Sequence, residues 1–186
     1  MMVRVIAVVA GLVALFGAAK AESGSDPKML RLVDRLDRPD AGYCVDIPGA
    51  VEFGLATDVP IFVHNCKPTF AADSAMVMTG DGELTFPELD LCVTAAAVNS
   101  NIVPGAATLA QTCGEAHPFL GKAEMLQKFV HRDDGRMELA ETELCLAVGP
   151  ASAATFSPTD NWRALFLSDC SAVAPEYSVW EFFTPS

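Results

Sequence analysis

The chain has 186 residues and a formal net charge of −12, from 12 Lys and Arg against 24 Asp and Glu. This balance argues against nucleic acid and anionic lipid as partners, because both recruit proteins through a basic face. The length fits one domain, and a chain of this size can bury a substantial core.

An apolar run near the N-terminus predicts a secretory signal peptide over residues 1–21. Arg4 precedes an uncharged run of 15 residues, 5–19, and small residues follow at the −3 and −1 positions of a cleavage point. A retained anchor is the alternative, but the run is short against the roughly 20 residues of a spanning helix. We expect a periplasmic or secreted chain that begins at Glu22, does not insert into a membrane and, having lost Arg4 and Lys20, carries −14.

After the leader, residues 22–40 contain Ser, Gly, Pro and charged residues, which is typical of a linker that leads into a first strand. Only residues 29–36 and 122–130 have a spacing compatible with helical turns. Short β segments predominate in the remainder, among them 82–86, 137–139 and 178–183. The sequence therefore predicts an all-β domain.

All cysteines follow the leader, and there are six of them: Cys44, Cys66, Cys92, Cys113, Cys145 and Cys170. An even number in an exported chain indicates disulfide bonds, because such compartments are oxidising. Taken two at a time along the chain, the cysteines are 22, 21 and 25 residues apart, and the first members are 48 and 53 residues apart. Each first cysteine lies between two apolar residues. This regularity indicates an internal repeat.

Other residues share the period of the cysteines. Met76, Phe129 and Trp180 follow the second cysteine of each group by 10, 16 and 10 residues, each within a short hydrophobic segment. Asp-Gly pairs at Asp81 and Asp134 predict tight primed hairpin turns. Three repeated β units must close on themselves or leave exposed edges, so we expect a closed barrel with threefold pseudosymmetry. The units cover about residues 41–86, 87–139 and 140–184.

The repeat resembles the ricin B-type β-trefoil lectins over about residues 30–184. The resemblance rests on the apolar-Cys-apolar strands and on segments similar to Gln-x-Trp at 127–129 and 178–180. It implies a β-trefoil with one disulfide in each unit. The implied pairs are Cys44–Cys66, Cys92–Cys113 and Cys145–Cys170.

The resemblance also implies where a sugar would bind. In this family an Asp two residues after the first cysteine accepts hydrogen bonds from sugar hydroxyls, an aromatic residue two before the second cysteine stacks on the sugar, and an Asn completes the contacts. The first unit offers Asp46, His64 and Asp73 at these positions. Two carboxylates there would suit an amine-bearing ligand or a bound cation. The other two units have Thr94, Gln111 and Leu126, and Ala147, Ser168 and Tyr177.

Each candidate also has a purely structural interpretation. Asp46 would accept hydrogen bonds from turn amides, His64 would be an uninvolved strand residue, and Asp73 would cap a loop. The aromatic residues expected in the core rather than against a sugar are Phe62, Phe129 and Trp180.

No cofactor, metal or catalytic activity is expected. His117 and His131 stand alone, and disulfides remove the thiols as metal ligands. The Asp-Gly turns lack the longer oxygen-ligand pattern of a calcium loop. No nucleophile or phosphate-loop motif is present in the sequence.

Two functions remain. The first is an exported carbohydrate-binding β-trefoil with at most one weak sugar site in the first repeat, of about millimolar affinity for a glycan or sugar-bearing surface. The alternative is a trefoil that has lost sugar binding and acts as an interaction or inhibitor module on another exported protein.

Overall fold

The computed structural model describes residues 26–114 and 122–185. These residues form short strands with little helix, as expected for an all-β protein. The predicted leader and His117 lie outside the described residues. The strands are β1 (Met29–Leu32), β2 (Tyr43–Asp46), β3 (Gly49–Ala50), β4 (Gly54–Leu55), β5 (Phe62–Asn65), β6 (Val77–Met78), β7 (Leu84–Phe86), β8 (Leu91–Ala95), β9 (Thr108–Thr112), β10 (Phe129–His131), β11 (Met137–Leu139), β12 (Leu144–Val148), β13 (Ala153–Ala154), β14 (Asn161–Asp169) and β15 (Trp180–Phe183).

Helix in the described ranges consists of the single turn α1 (Ala123–Leu126) and a 3-10 turn at Pro175–Tyr177. The expected helical turn within 122–130 is therefore present, whereas the one at 29–36 is wrong because that segment contains β1. No helix among the described residues is long and apolar enough to cross a membrane.

Three antiparallel strand pairs carry the disulfides. β2 pairs with β5, β8 with β9 and β12 with β14. In each pair the first cysteine lies within the first strand, and the second cysteine directly follows the second strand. The bonded pairs are Cys44–Cys66, Cys92–Cys113 and Cys145–Cys170, with Cα–Cα distances of 4.8, 5.0 and 5.0 Å. They are the pairs that the family resemblance implies.

Six further strands are connected in a ring. β1 pairs with β15, β6 with β7 and β10 with β11. Backbone bridges join the remaining neighbours, so that the pairing returns to its starting strand in the order β1, β15, β11, β10, β7, β6. The three bridges are Lys28–Met76, Glu83–Lys128 and Arg136–Val179.

The repeated apolar residues lie in one hydrophobic core. Met76, Phe129 and Trp180 are all buried in the same cluster. The indole Nε1 of Trp180 donates a hydrogen bond to the carbonyl oxygen of Leu146 at 3.0 Å, so its polar group is satisfied. Full burial of an apolar side chain contributes roughly 1.5–3 kcal/mol, which makes these positions central to stability.

The segment predicted as a linker contains a buried strand, and this corrects the expectation for residues 22–40. β1 pairs with β2 along one edge and with β15 along the other, and three of its four residues are buried. Asp37, farther along the segment, accepts hydrogen bonds from Arg163 at 2.6 Å and Tyr43 at 2.9 Å. Short apolar runs such as MLRL fit helix or strand equally well, and only the tertiary partners decide between them.

The Asp-Gly turns differ from the predicted primed turns. Gly82 and Gly135 have φ of 84° and 82°, whereas Asp81 and Asp134 are not among the residues with positive φ. In both turns the glycine N–H donates to the carbonyl three residues earlier, at 3.0 and 2.9 Å. This is the three-residue hairpin in which an ordinary turn is followed by a left-handed glycine at a bulge.

Candidate functional site

The carboxylates of Asp46 and Asp73 lie together below the surface. Asp46 is the last residue of β2, and Asp73 belongs to the turn that precedes β6. The amide of Ile47 donates to the carbonyl oxygen of Asp73 at 3.0 Å, which fixes this turn against the end of β2. Both aspartates are less than 5% exposed, at 4% and 2%. Two buried carboxylates require a counter-charge.

Lys67 supplies that charge. Its Nζ lies 2.9 Å from Oδ2 of Asp46 and 2.6 Å from Oδ1 of Asp73. Lys67 directly follows Cys66, which is bonded to Cys44 two residues before Asp46, so the disulfide brings the amine to the carboxylates. We call Asp46, Lys67 and Asp73 the ion triad. The sequence analysis missed Lys67, since it expected the two carboxylates to suit an amine-bearing ligand or a bound cation.

Burial and the neighbouring charges shift the pKa of Asp46 and the pKa of Lys67. Burial, with a smaller contribution from Asp73, raises the pKa of Asp46 to about 7, while Lys67 acts in the opposite direction. Burial alone would lower the pKa of Lys67, but the two carboxylates outweigh it and raise that pKa. Lys67 therefore stays protonated, whereas Asp46 titrates near neutral pH.

His64, the predicted stacking residue, lies beside the triad on β5. Burial lowers its pKa, and the charge of Lys67 adds to this effect. Its ring packs edge-on against Phe62, with centroids 6.0 Å apart, and Phe62 makes a similar contact with Trp162 at 6.1 Å. The three predicted residues are thus brought together, but His64 belongs to a row of aromatic rings and Asp46 and Asp73 are bound to Lys67.

The second unit holds an uncharged counterpart of the triad. The side chain of the buried Gln127 donates to Oγ1 of Thr94 at 2.9 Å and accepts from the amide of Gly114 at 2.9 Å. Thr94 and Gly114 occupy the places of Asp46 and Lys67 relative to their cysteines. In both units these contacts tie the residue after the second cysteine to the strand that carries the first.

An apolar groove of about 820 Å³ lies where the three disulfide-bearing hairpins meet. β5 pairs with β14, and isolated bridges connect β9 and β14 to the loops of neighbouring hairpins. The lining includes Val59, Phe62, Phe156, Trp162 and Phe166. The core position predicted for Phe62 is therefore wrong: its side chain is half-buried, because β5 turns this residue toward the groove.

Among the described residues, no three His, Cys, Asp or Glu side chains are placed to hold a metal ion. Nε2 of His131 lies 3.2 Å from the carbonyl oxygen of Trp180. In the Asp-Gly turn of the third unit, Asp134 forms an ion pair with Arg136 at 2.7 Å. These side chains have partners within the protein.

No protein-family model matches the sequence, and no curated protein matches it. Among solved structures, the chain is similar to the mdaA-1 domain, whose solution structure superposes with a TM-score of 0.58 at 16% sequence identity. The alignment covers 87% of this chain and 91% of that one. At this identity the similarity shows a shared fold.

Proposed function

We propose that this protein is an exported β-trefoil of the ricin B type that acts as a protein-interaction module and has lost sugar binding. The trefoil assignment is supported by strand pairings that recur three times, each with one disulfide. Export is supported by the leader that the sequence predicts and by the disulfides, which persist in oxidising compartments.

The observation that carries the proposal is the position of Lys67. A sugar needs free carboxylate oxygens at Asp46, yet Nζ of Lys67 lies 2.9 Å from one of them and 2.6 Å from Asp73. A hydroxyl would have to displace the ammonium and leave buried negative charge without a partner, which is strongly unfavourable. Thr94 and Ala147, at the equivalent positions of the other units, are also buried.

The proposed role is binding without catalysis. A carboxyl group with a raised pKa is a common sign of a catalytic acid, and Asp46 has such a pKa. However, its side chain is only 5% exposed and forms an ion pair with Lys67, which supports a structural role for this carboxyl group.

A glycan array tests the proposal, with the oxidised protein, Asp46→Ala and Thr94→Ala as matched samples. We expect none of the three to bind a glycan. Thr94→Ala is the control because it changes the same position of the second unit, in which none of the three equivalent site positions holds a carboxylate. Circular dichroism checks that each variant is folded. A glycan bound by the unmutated protein and by Thr94→Ala, but not by Asp46→Ala, would establish the lectin function and refute the proposal.

A further inference from the structure

The apolar groove presents aromatic side chains that the fold does not bury. Phe156 is fully exposed, and Trp162 is 41% exposed. Their neighbours in the lining are also apolar, including Val59 and Phe166. Aromatic side chains around a concavity of this size are typical of binding sites, which commonly measure about 300–1,000 Å³.

Hydrogen bonds hold the loop that carries Phe156 in place. The amide of Thr155 donates to the carbonyl of Asp160 at 2.7 Å, and its hydroxyl donates to the same oxygen at 2.9 Å. Asn65 then connects the loop to β5, because its Nδ2 donates to the carbonyl of Thr159 at 2.8 Å. The aromatic ring is therefore presented on a fixed backbone, which reduces the entropy lost on binding.

The loops that close the three hairpins carry charges of one sign. The three loops that close the hairpins, residues 47–61, 96–107 and 149–160, contain Glu52, Asp58 and Asp160 but no Lys or Arg. Asp58 directly precedes Val59 of the lining, and Asp160 lies two residues before Trp162. An apolar groove with an acidic margin complements a segment that has apolar anchors and flanking cations.

We propose that this groove binds a cationic amphipathic peptide segment of another protein. Its aromatic or aliphatic anchors enter between Phe156 and Trp162, and its Lys or Arg side chains meet Asp58 and Asp160. This assignment rests on the proposed interaction function and names its site and its partner class. A second copy of this chain fits less well, because two acidic margins would face each other across the contact.

Fluorescence anisotropy with the full oxidised chain tests the assignment. The probe is a labelled peptide of about twelve residues with Leu and Phe anchors and Lys between them, and its partner peptide carries Glu in place of Lys. We expect the Lys peptide to bind at least about tenfold more tightly than the Glu peptide, and its affinity to fall as salt rises. Phe156→Ala should weaken binding about tenfold.

Matched controls distinguish binding in the groove from nonspecific hydrophobic binding. Phe53→Ala removes another exposed Phe, 93% accessible and outside the groove lining, and should leave the affinity unchanged. Asp58→Asn with Asp160→Asn should reduce the preference for the Lys peptide, whereas Glu88→Gln, an exposed acid elsewhere, should not.

The assignment would be wrong if neither peptide binds or if both bind equally. It would also be wrong if Phe53→Ala and Phe156→Ala weaken peptide binding equally, or if the protein binds the neutral dye Nile red but neither peptide. Dimerisation abolished by Phe156→Ala would assign the groove to a second copy instead. The glycan array reports on the triad and not on the groove, so failure of the proposed function and failure of this assignment are distinguishable.

Discussion

Asp46 shares the ammonium group of Lys67 with a second buried carboxylate, Asp73, and its protonation is linked to folding. The pKa of Asp46 is about 7 in the folded protein, above its ordinary value of 3.8. A raised carboxyl pKa means that the folded state binds a proton that the unfolded state has already released. The resulting stabilisation is complete below the unfolded pKa and is lost as pH rises through the folded pKa.

Asp46→Asn should therefore flatten the dependence of stability on pH. We expect the contribution of Asp46 to the free energy of unfolding to fall by about 2 kcal/mol between about pH 5 and about pH 8, and to be absent in the variant. Urea denaturation of both proteins at several pH values measures the difference. His64 is present in both proteins, so its own titration is largely common to them. Parallel curves for the two proteins would contradict the raised pKa.

Part of the site around the ion triad could be predicted from the sequence. The resemblance to the lectin family, applied relative to the cysteines and to the Gln-x-Trp-like segment, implied Asp46, His64 and Asp73, and the structure brings them together. Lys67 was missed because the family pattern specifies acceptors for sugar hydroxyls and a stacking ring, and it includes no cation at this position. Its place directly after Cys66 was the available signal, since a residue next to a disulfide partner lies close to the strand of the first cysteine.

Among the elements, the Asp-Gly hairpins join neighbouring strands of the ring. The carbonyl oxygen of Gly82 accepts a hydrogen bond from the amide of Phe129 at 2.7 Å, so the turn that contains this glycine also forms the seam between β7 and β10. A Cβ atom on Gly82 would lie 2.8 Å from the carbonyl oxygen of Phe129. Because both the added Cβ and the atom that it meets belong to hydrogen-bonded backbone, neither can move away easily.

Gly82→Ala should cost at least about 2 kcal/mol of folding free energy, from the positive φ and the clash together. Gly54→Ala is the matched control, because Gly54 has φ of 98° but no atom within 4 Å of the added methyl group. We expect about 1 kcal/mol for the control, from backbone strain alone. Thermal or urea unfolding of both variants measures their stability. Equal losses of stability would show that the backbone between β7 and β10 shifts to accommodate the methyl group.

Elements with a clear local signal were predicted, and elements defined by distant partners were not. The paired strands at the cysteines and the hairpins beside Asp81 and Asp134 followed from alternation and turn residues. β1 was mistaken for part of a linker because its partners, β2 and β15, include the last strand described. The turn geometry was also misjudged, because Asp-Gly fits both the primed turn and the glycine bulge.

At the scale of the whole molecule, the groove has no signature in the sequence. Val59, Phe156 and Trp162 come from loops and strands of two different hairpins, and the bridges around β9 and β14 place the third hairpin beside them. In sequence Phe156 is an isolated apolar residue in a polar loop, and Val59 and Trp162 lie at the start of mostly apolar segments. Single exposed apolar residues of this kind normally need no explanation. Only the convergence of the three hairpins makes a concave surface of them.

The ring of strands imposes an order on assembly as the chain is synthesised. Each disulfide joins cysteines 21 to 25 residues apart, so it forms within a locally available segment. The contact between Arg31 and Glu181 spans 150 residues and waits for β15. A chain that stops at Val179 should therefore form its native disulfides yet leave β1 with an open edge, a known template for aggregation. Peptide mapping should show the native disulfides in this chain, and sedimentation should show that it associates. A chain that stops at Phe183 is the control and should stay monomeric. If both chains are monomeric, β15 is dispensable for closing the fold.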